Sequence, residues 1–189
     1  DKHVITIDDI VFKIGPRINA AGRMEVDSDD ENAAPSGGHS AVYLMVARDE
    51  EVASEYGAFI DTCNQDRKNI DRSITQEAHE IIESRPELKN RKSTVIYNPK
   101  WMKGIVGIVA SRLIETYYRP TVVLTMSNGY VTGSARSVPG FDLYQAVESC
   151  ADLLENFGGH IYAAGLTMRP ENVEEFTRRF NDYVEEHID

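Results

Sequence analysis

The stretch from Asp49 to Pro86 constrains the fold of this chain more than any other. Val52, Tyr56, Phe59, Cys63, Ile70, Ile74, Ala78 and Ile81 recur at three- and four-residue steps, with a polar gap at Asp66 and Arg67. One apolar stripe of that period marks an amphipathic helix. Asp49 is a good N-cap, and Glu50 and Glu51 place negative charge in the first turn, where the helix dipole favours it. Pro86 ends the run. At about 1.5 Å per residue, such a helix reaches across more than one domain. An arm between two lobes is expected rather than a single core.

On either side the pattern changes. Asp1 to Met24 reads as a short strand-like and loop segment ending in a Gly- and Arg-bearing motif, and Glu25 to His39 as an exposed acidic loop with Pro35 and Gly37-Gly38. Ser40 to about Ala47 reads as a short helix. From Ser93 strands and helices alternate: strands over Thr94–Tyr97, Thr121–Thr125, Tyr130–Ala135 and Ala163–Met168, and helices over Gly104–Tyr118, Asp142 to about Phe157, and Val173–Ile188. Asp142 can cap its helix with Gln145 at the capping-box position. The fold class expected is α/β: a small mixed β-sheet domain flanked by helices, joined to a long N-terminal connecting helix. The expected parts are 1–24, 25–91 (acidic loop and long helix) and 92–189 (sheet domain).

Hydrophobic residues make up 41% and charged residues 27%, so the chain can bury a core. No apolar run approaches the roughly 20 residues needed to span a bilayer, and no membrane association is expected. The start, Asp1-Lys2-His3, reads as a cut inside a longer protein. Cys63 and Cys150 read as free thiols of a reducing, cytoplasmic compartment. The net charge of −11 argues, taken whole, against a nucleic-acid binder. The charge is uneven, however. Glu25 to Asp61 carries ten acids and one base, whereas Thr94 to Gly140 carries five bases (Lys100, Lys103, Arg112, Arg119, Arg136) against one acid, Glu115. A basic zone inside an acidic protein suits a phosphate-bearing ligand, and it equally suits ordinary surface charge.

Four segments could carry chemistry, each with a plainer alternative. Phe157-Gly158-Gly159-His160, followed by Ala163-Ala164-Gly165, can bend the backbone toward a ligand and offer an imidazole to a phosphate oxygen, or can be a tight turn with a surface histidine. Trp101-Met102-Lys103-Gly104 opens a helix whose free N–H groups and lysine could hold an anion; Gly104 and Gly107 could instead serve close helix–sheet packing. Ser134 and Arg136, two apart on a strand, point to one side, where they could grip a phosphate or form a structural salt bridge. Ile14 to Met24, with Arg17, Asn19 and Arg23 in a small-residue frame, could line a phosphate cleft. No Asp-His-His run, His-x-His pair or cluster at metal-ligand spacing is present, so no metal site is expected in this chain.

Together and in this order, IGPRINAAGRM, NPKWMKGIVGIVASRLIE, GSARSVPGFDLYQAV and FGGHIYAAGL resemble the RecJ family of the Asp-His-His phosphoesterase superfamily. The resemblance implies a single-stranded-DNA exonuclease, acting 5′ to 3′ in DNA repair and recombination. Its Mn²⁺ or Mg²⁺ ions would be bound by a lobe preceding this chain. On that likeness residues 1–24 would be a remnant of the catalytic lobe and 92–189 a substrate-binding domain associated with it. Arg17, Asn19 and Arg23 would face the cleft. Trp101, Lys103, Gly104, Ser134, Arg136, Gly158 and Gly159 would bind nucleic acid. His160 would stabilise charge at the scissile phosphate. The family often has histidine where this chain has Met102 and Asn98, and Asp27 to His39 is longer and more acidic than the family pattern. Alternative functions are an oligoribonuclease or cyclic-dinucleotide phosphodiesterase of the same superfamily, or a non-catalytic nucleic-acid-binding module.

Overall fold

The computed structural model describes residues 4–24 and 37–188. Most of the acidic loop expected over Glu25 to His39 therefore lies outside the described residues. By their contacts the residues form two compact units, Asp1–Ile70 and Asp71–Asp189, with the boundary inside the long helix.

The first unit is helical: α1 (Ile7–Asp9), a π-helical turn (Ile10–Ile14), α2 (Gly15–Arg23), α3 (Gly37–Val46) and the first part of α4 (Glu50–Glu83). The strand-like reading of its start is corrected. Ile5, Ile7, Ile10 and Val11 have strand propensity, but Thr6 and Asp9 form a reciprocal capping box. The Asp9 carboxylate accepts from the Thr6 N–H at 3.0 Å, and the Thr6 hydroxyl accepts from the Asp9 N–H at 3.4 Å. Pro16 sits in the first turn of α2, where its missing N–H costs nothing. The small-residue frame of α2 serves packing. Ala21, Ala41 and Ile60 form the unit's core. A Cβ on Gly37 would lie 2.2 Å from the Ala21 carbonyl, so glycine is required where α3 meets α2. The cap expected for α4 is present: the Asp49 carboxylate accepts from the N–H groups of Glu51 and Val52 at 2.8 and 3.2 Å.

The second unit holds a five-stranded sheet in the order β1-β2-β3-β5-β4. Its strands are β1 (Thr94–Tyr97), β2 (Thr121–Ser127), β3 (Tyr130–Arg136), β4 (Leu154–His160) and β5 (Ala163–Met168), and its helices after α4 are α5 (Pro86–Lys89), α6 (Lys103–Tyr117), α7 (Leu143–Glu148) and α8 (Val173–His187). β1 and β2 are parallel, joined through α6, and the other pairs are antiparallel. Asn128 and Gly129, both at positive φ, make the two-residue turn between β2 and β3. The expected helix from Asp142 to Phe157 stops at Glu148. The Asp142 cap forms, accepting from the Gln145 N–H at 3.2 Å, but the residues after Leu153 pair as β4 with β5. Two glycines near the end of that stretch disfavour helix, and pairing to β5 satisfies the backbone.

Strand alternation sorts the sheet into two faces. Val95, Val122, Leu124, Val131, Ala135, Ala164, Leu166 and Met168 form the main core with residues of α7 and with Phe176, Phe180 and Val184 of α8. On the opposite face, α6 packs over β2 and β3 through Ile105, Val106, Val109, Ala110 and Leu113. It does not extend over β5 and β4, whose residues there are largely exposed. The last turns of α4 bind α6 in the same unit. Arg112 donates to the buried Asp71 carboxylate through Nε at 2.9 and 3.1 Å and through Nη2 at 2.8 Å.

Candidate nucleic-acid interface

The face left open by α6 carries three rows of side chains, each aligned across β3, β5 and β4. Arg136, Ala163 and His160 form one row. Ser134, Gly165 and Gly158 form the next. Thr132, Thr167 and Asn156 form the third. With strands about 4.8 Å apart, Arg136 and His160 stand about 10 Å from each other with only the small Ala163 between them.

Gly107 links α6 to this face. A Cβ built there would lie 3.1 Å from Arg136 Nη2 and 3.2 Å from Ser134 Oγ. Both readings of the glycines in this helix thus hold at once: Gly107 permits close packing, and the groups it packs against are the arginine and serine singled out for phosphate binding. Arg136 also donates to the Ala135 carbonyl at 2.9 Å through Nη1.

The helix start lies at the other end of the face. The Trp101 carbonyl accepts from the Thr125 hydroxyl at 2.5 Å, and Thr125 pairs with Thr132. Exposed Lys103 and partly buried Gly104 are therefore at the Thr132 end, whereas Arg136 and His160 lie four residues along the strands, about 13 Å away. The sequence suggested one shared oxyanion pocket. The elements instead border one continuous face at its two ends.

Gly158-Gly159-His160 is the end of a strand, not a free loop. Gly159 has φ +154°, and a Cβ there would lie 2.2 Å from the Ala163 carbonyl, so its role is structural. Exposed His160 accepts at Nδ1 from the Tyr162 N–H at 3.2 Å, which leaves Nε2 pointing away from that bond. His160 also lines a hollow with Asp142, Tyr144, Gln145 and Glu148, which run the length of α7 from its N-cap.

Trp101 is corrected. The residue is 4% exposed and its Nε1–H donates to Glu77 at 2.9 Å, so its ring is not placed to lie against a base. Two of the five bases in the basic zone are also structural. Arg112 holds Asp71, and buried Arg119 donates to the carbonyls of Leu88, Lys89 and Arg91. In the first unit, Arg17 pairs with Asp61 and donates to the Lys13 carbonyl at 2.8 Å. Exposed Asn19 and Arg23, four apart on α2, share a helix face that Arg17 does not.

Among the described residues, no group of three or more His, Cys, Asp or Glu side chains is placed to hold a metal. No described helix is long and apolar enough to cross a membrane.

The family model described as "DHHA1 domain" matches residues 90–186. The chain belongs to the DHHA1 domain family. This DHHA1 chain is 37% identical over 176 residues to the single-stranded-DNA-specific exonuclease RecJ of Bacillus subtilis (strain 168), covering 92% of this chain and 21% of that protein. It is 32% identical over 199 residues to the enzyme of the same name from Escherichia coli (strain K12), covering 100% of this chain and 32% of that one. Among solved structures it is similar to RecJ in complex with Mn²⁺ from Thermus thermophilus, with a TM-score of 0.79 and 28% identity, covering 96% of this chain and 25% of that chain. The DHHA1 chain thus spans between about a fifth and a third of the length of these relatives. The α/β class and the likeness to the RecJ family expected from the sequence are both borne out.

Thr132, Asn156 and Thr167 also stand on the open face and carry no signal in the sequence that singles them out. Asn156 was hidden because the α7 helix was expected to run through it.

Proposed function

We propose that this chain is the substrate-binding part of a RecJ-like 5′–3′ exonuclease for single-stranded DNA, and that Mn²⁺ or Mg²⁺ held elsewhere in the polypeptide carries the hydrolytic chemistry. The observation that carries the reading is the row Arg136–Ala163–His160, backed by Ser134. A guanidinium, a hydroxyl and an imidazole on one open face are what a phosphodiester chain would engage. His160 would donate to a phosphoryl oxygen as charge develops on it, and Arg136 would hold the neighbouring phosphate. We assign this chain binding and orientation of the strand.

In the same reading, residues 1–24 belong to the catalytic lobe of the longer protein. Ile7 and Phe12 are 78% and 74% exposed, an apolar surface suited to burial against more polypeptide, and the relatives are several times longer. Arg17, Asn19 and Arg23 would contribute to the substrate cleft from there. Lys103 and the α6 start would meet phosphate at the far end of the face.

The test is His160→Ala in the full-length protein. We expect turnover of single-stranded DNA with Mn²⁺ to fall on the order of 100-fold with little change in DNA affinity. Unchanged turnover removes His160 from the mechanism. The 189-residue chain by itself should not hydrolyse DNA. A parent that cleaves dinucleotides in preference to long single strands would replace this reading with a short-oligonucleotide phosphodiesterase.

A further inference from the structure

We infer that the hollow at the Thr132 end of the open face is a subsite for the uncharged sugar and base of a nucleotide further along the bound strand, distinct from the phosphate contacts at Arg136 and His160. The inference rests on the proposed single-strand binding and specifies what the uncharged part of the face would hold.

The hollow, about 350 Å³, is lined by Thr132, Asn156, Gly158, Gly165 and Thr167 among others, and none of its lining residues is charged. Its floor is the directly paired Gly158 and Gly165. Glycine is unusual within strands, where it weakens pairing and packs nothing. Other glycines of this unit are required by sterics, as Gly159 is against Ala163 and Gly133 is against Leu124. Gly158 and Gly165 are not. A Cβ on Gly158 would meet nothing within 4 Å, and one on Gly165 would meet only the Gly133 carbonyl at 4.0 Å. Neither is at positive φ. The fold would accept a Cβ at both, and its absence keeps the surface flat and the backbone approachable.

Around this floor stand polar groups open to solvent. Among the described residues, Asn156 and Thr167 make no side-chain hydrogen bond, while the Thr132 hydroxyl donates to the Leu166 carbonyl at 3.3 Å. An amide offers two donors and an acceptor, and a hydroxyl offers one donor and accepts as well. That set suits sugar hydroxyl or ring oxygens and base edges, with the flat ring lying on the glycine floor. A phosphate would find no cation in the hollow, whereas cations stand at both ends of the face: Arg136 at one, Lys103 at the other. An uncharged hollow bordered by Arg136 along the strands and by Lys103 on the α6 side matches the nucleoside of a strand whose phosphates those cations would engage.

The experiment measures binding of 5′-labelled single-stranded DNA to the full-length protein under non-cleaving conditions. The ligands are an intact oligonucleotide and a set carrying one abasic residue at successive positions. The proteins are wild type, Gly165→Val and Asn156→Ala. Valine suits a strand, a Cβ at Gly165 has open space, and Asn156 is an exposed side chain; thermal melting checks that both variants are folded. We expect Gly165→Val to weaken binding on the order of tenfold, the lower end of what one base contact contributes in single-strand binders, and Asn156→Ala to weaken it several-fold. One abasic position should weaken wild type comparably yet have little further effect on Gly165→Val. Wild-type affinity in both variants with a flat abasic profile overturns the subsite alone. A wild type that binds no single-stranded DNA overturns the proposed function, and the subsite with it.

Discussion

Gly107 on α6 and Arg136 on β3 are in such close apposition that a single added carbon on the glycine would come within 3.1 Å of the guanidinium. The helix that covers half of the sheet's open face thereby sets where the arginine can reach on the other half. Gly107→Ala separates folding from binding. Alanine favours helix by up to about 1 kcal/mol, and the two nearest groups it would meet, Arg136 Nη2 and Ser134 Oγ, are the ends of rotatable side chains. We expect an unchanged or slightly raised melting temperature with weakened affinity for single-stranded DNA. Loss of about one phosphate contact should lower the slope of log affinity against log salt by about 0.7. Melting curves and a salt titration check both parts.

Gly158 and Gly159 are neighbours with opposite roles. Gly159→Ala should destabilise by about 2 kcal/mol or more, since its Cβ would collide with the Ala163 carbonyl at 2.2 Å and its φ is +154°. Gly158→Ala meets open space and should change stability by less than about 0.5 kcal/mol. Chemical denaturation of the two variants provides the comparison.

The single tryptophan reports on the corrected residue. Buried Trp101, hydrogen-bonded to Glu77, should emit at short wavelength and be shielded from iodide. Saturating single-stranded DNA should leave its fluorescence intensity nearly unchanged. Strong quenching by DNA would return Trp101 to the interface.

Arg112 anchors the end of α4 to α6 through buried Asp71. Arg112→Ala would leave that carboxylate without its fork of donors, and the unit should lose about 2–4 kcal/mol, less than for a wholly buried pair because the arginine is half-exposed. Asp71→Asn combined with Arg112→Met should recover part of the loss, which a double-mutant denaturation cycle measures.

Two groups give the stability a definite pH dependence. Hydrogen bonds from Arg178 and then Arg179 lower the Glu175 pKa from 4.5 to about 2. A lowered carboxylate stabilises above its unfolded value and loses that contribution as pH falls from about 4.5 through about 2. Glu175→Gln should flatten the acid limb over that interval. At the alkaline end, burial, followed by the hydrogen bond to Glu83, raises the Tyr117 pKa from 10.0 to about 12. A raised value means the contribution is whole below pH 10 and fades as pH rises through about 12. Ultraviolet titration of Glu83→Gln should show Tyr117 ionising at lower pH than in wild type.

The local rules visible in the sequence determined much of this protein. Asp49 capping, the three- and four-residue stripe, and the alternation after Ser93 are properties of neighbouring residues, and α4, β1, β2, β3, β5, α6 and α8 follow from them. The order of the four motifs likewise sufficed to place the chain beside the RecJ family. Only tertiary structure decided the rest. Whether residues 154–160 pair as a strand depends on β5 offering a partner edge, and whether Trp101 faces solvent depends on Glu77, which is 24 residues away. Whether a glycine is needed for space or left bare for a ligand depends on what stands opposite it. Non-local contacts separate Gly159 from Gly158 and divide Arg112 and Arg119 from Arg136, and no spacing within the chain encodes them.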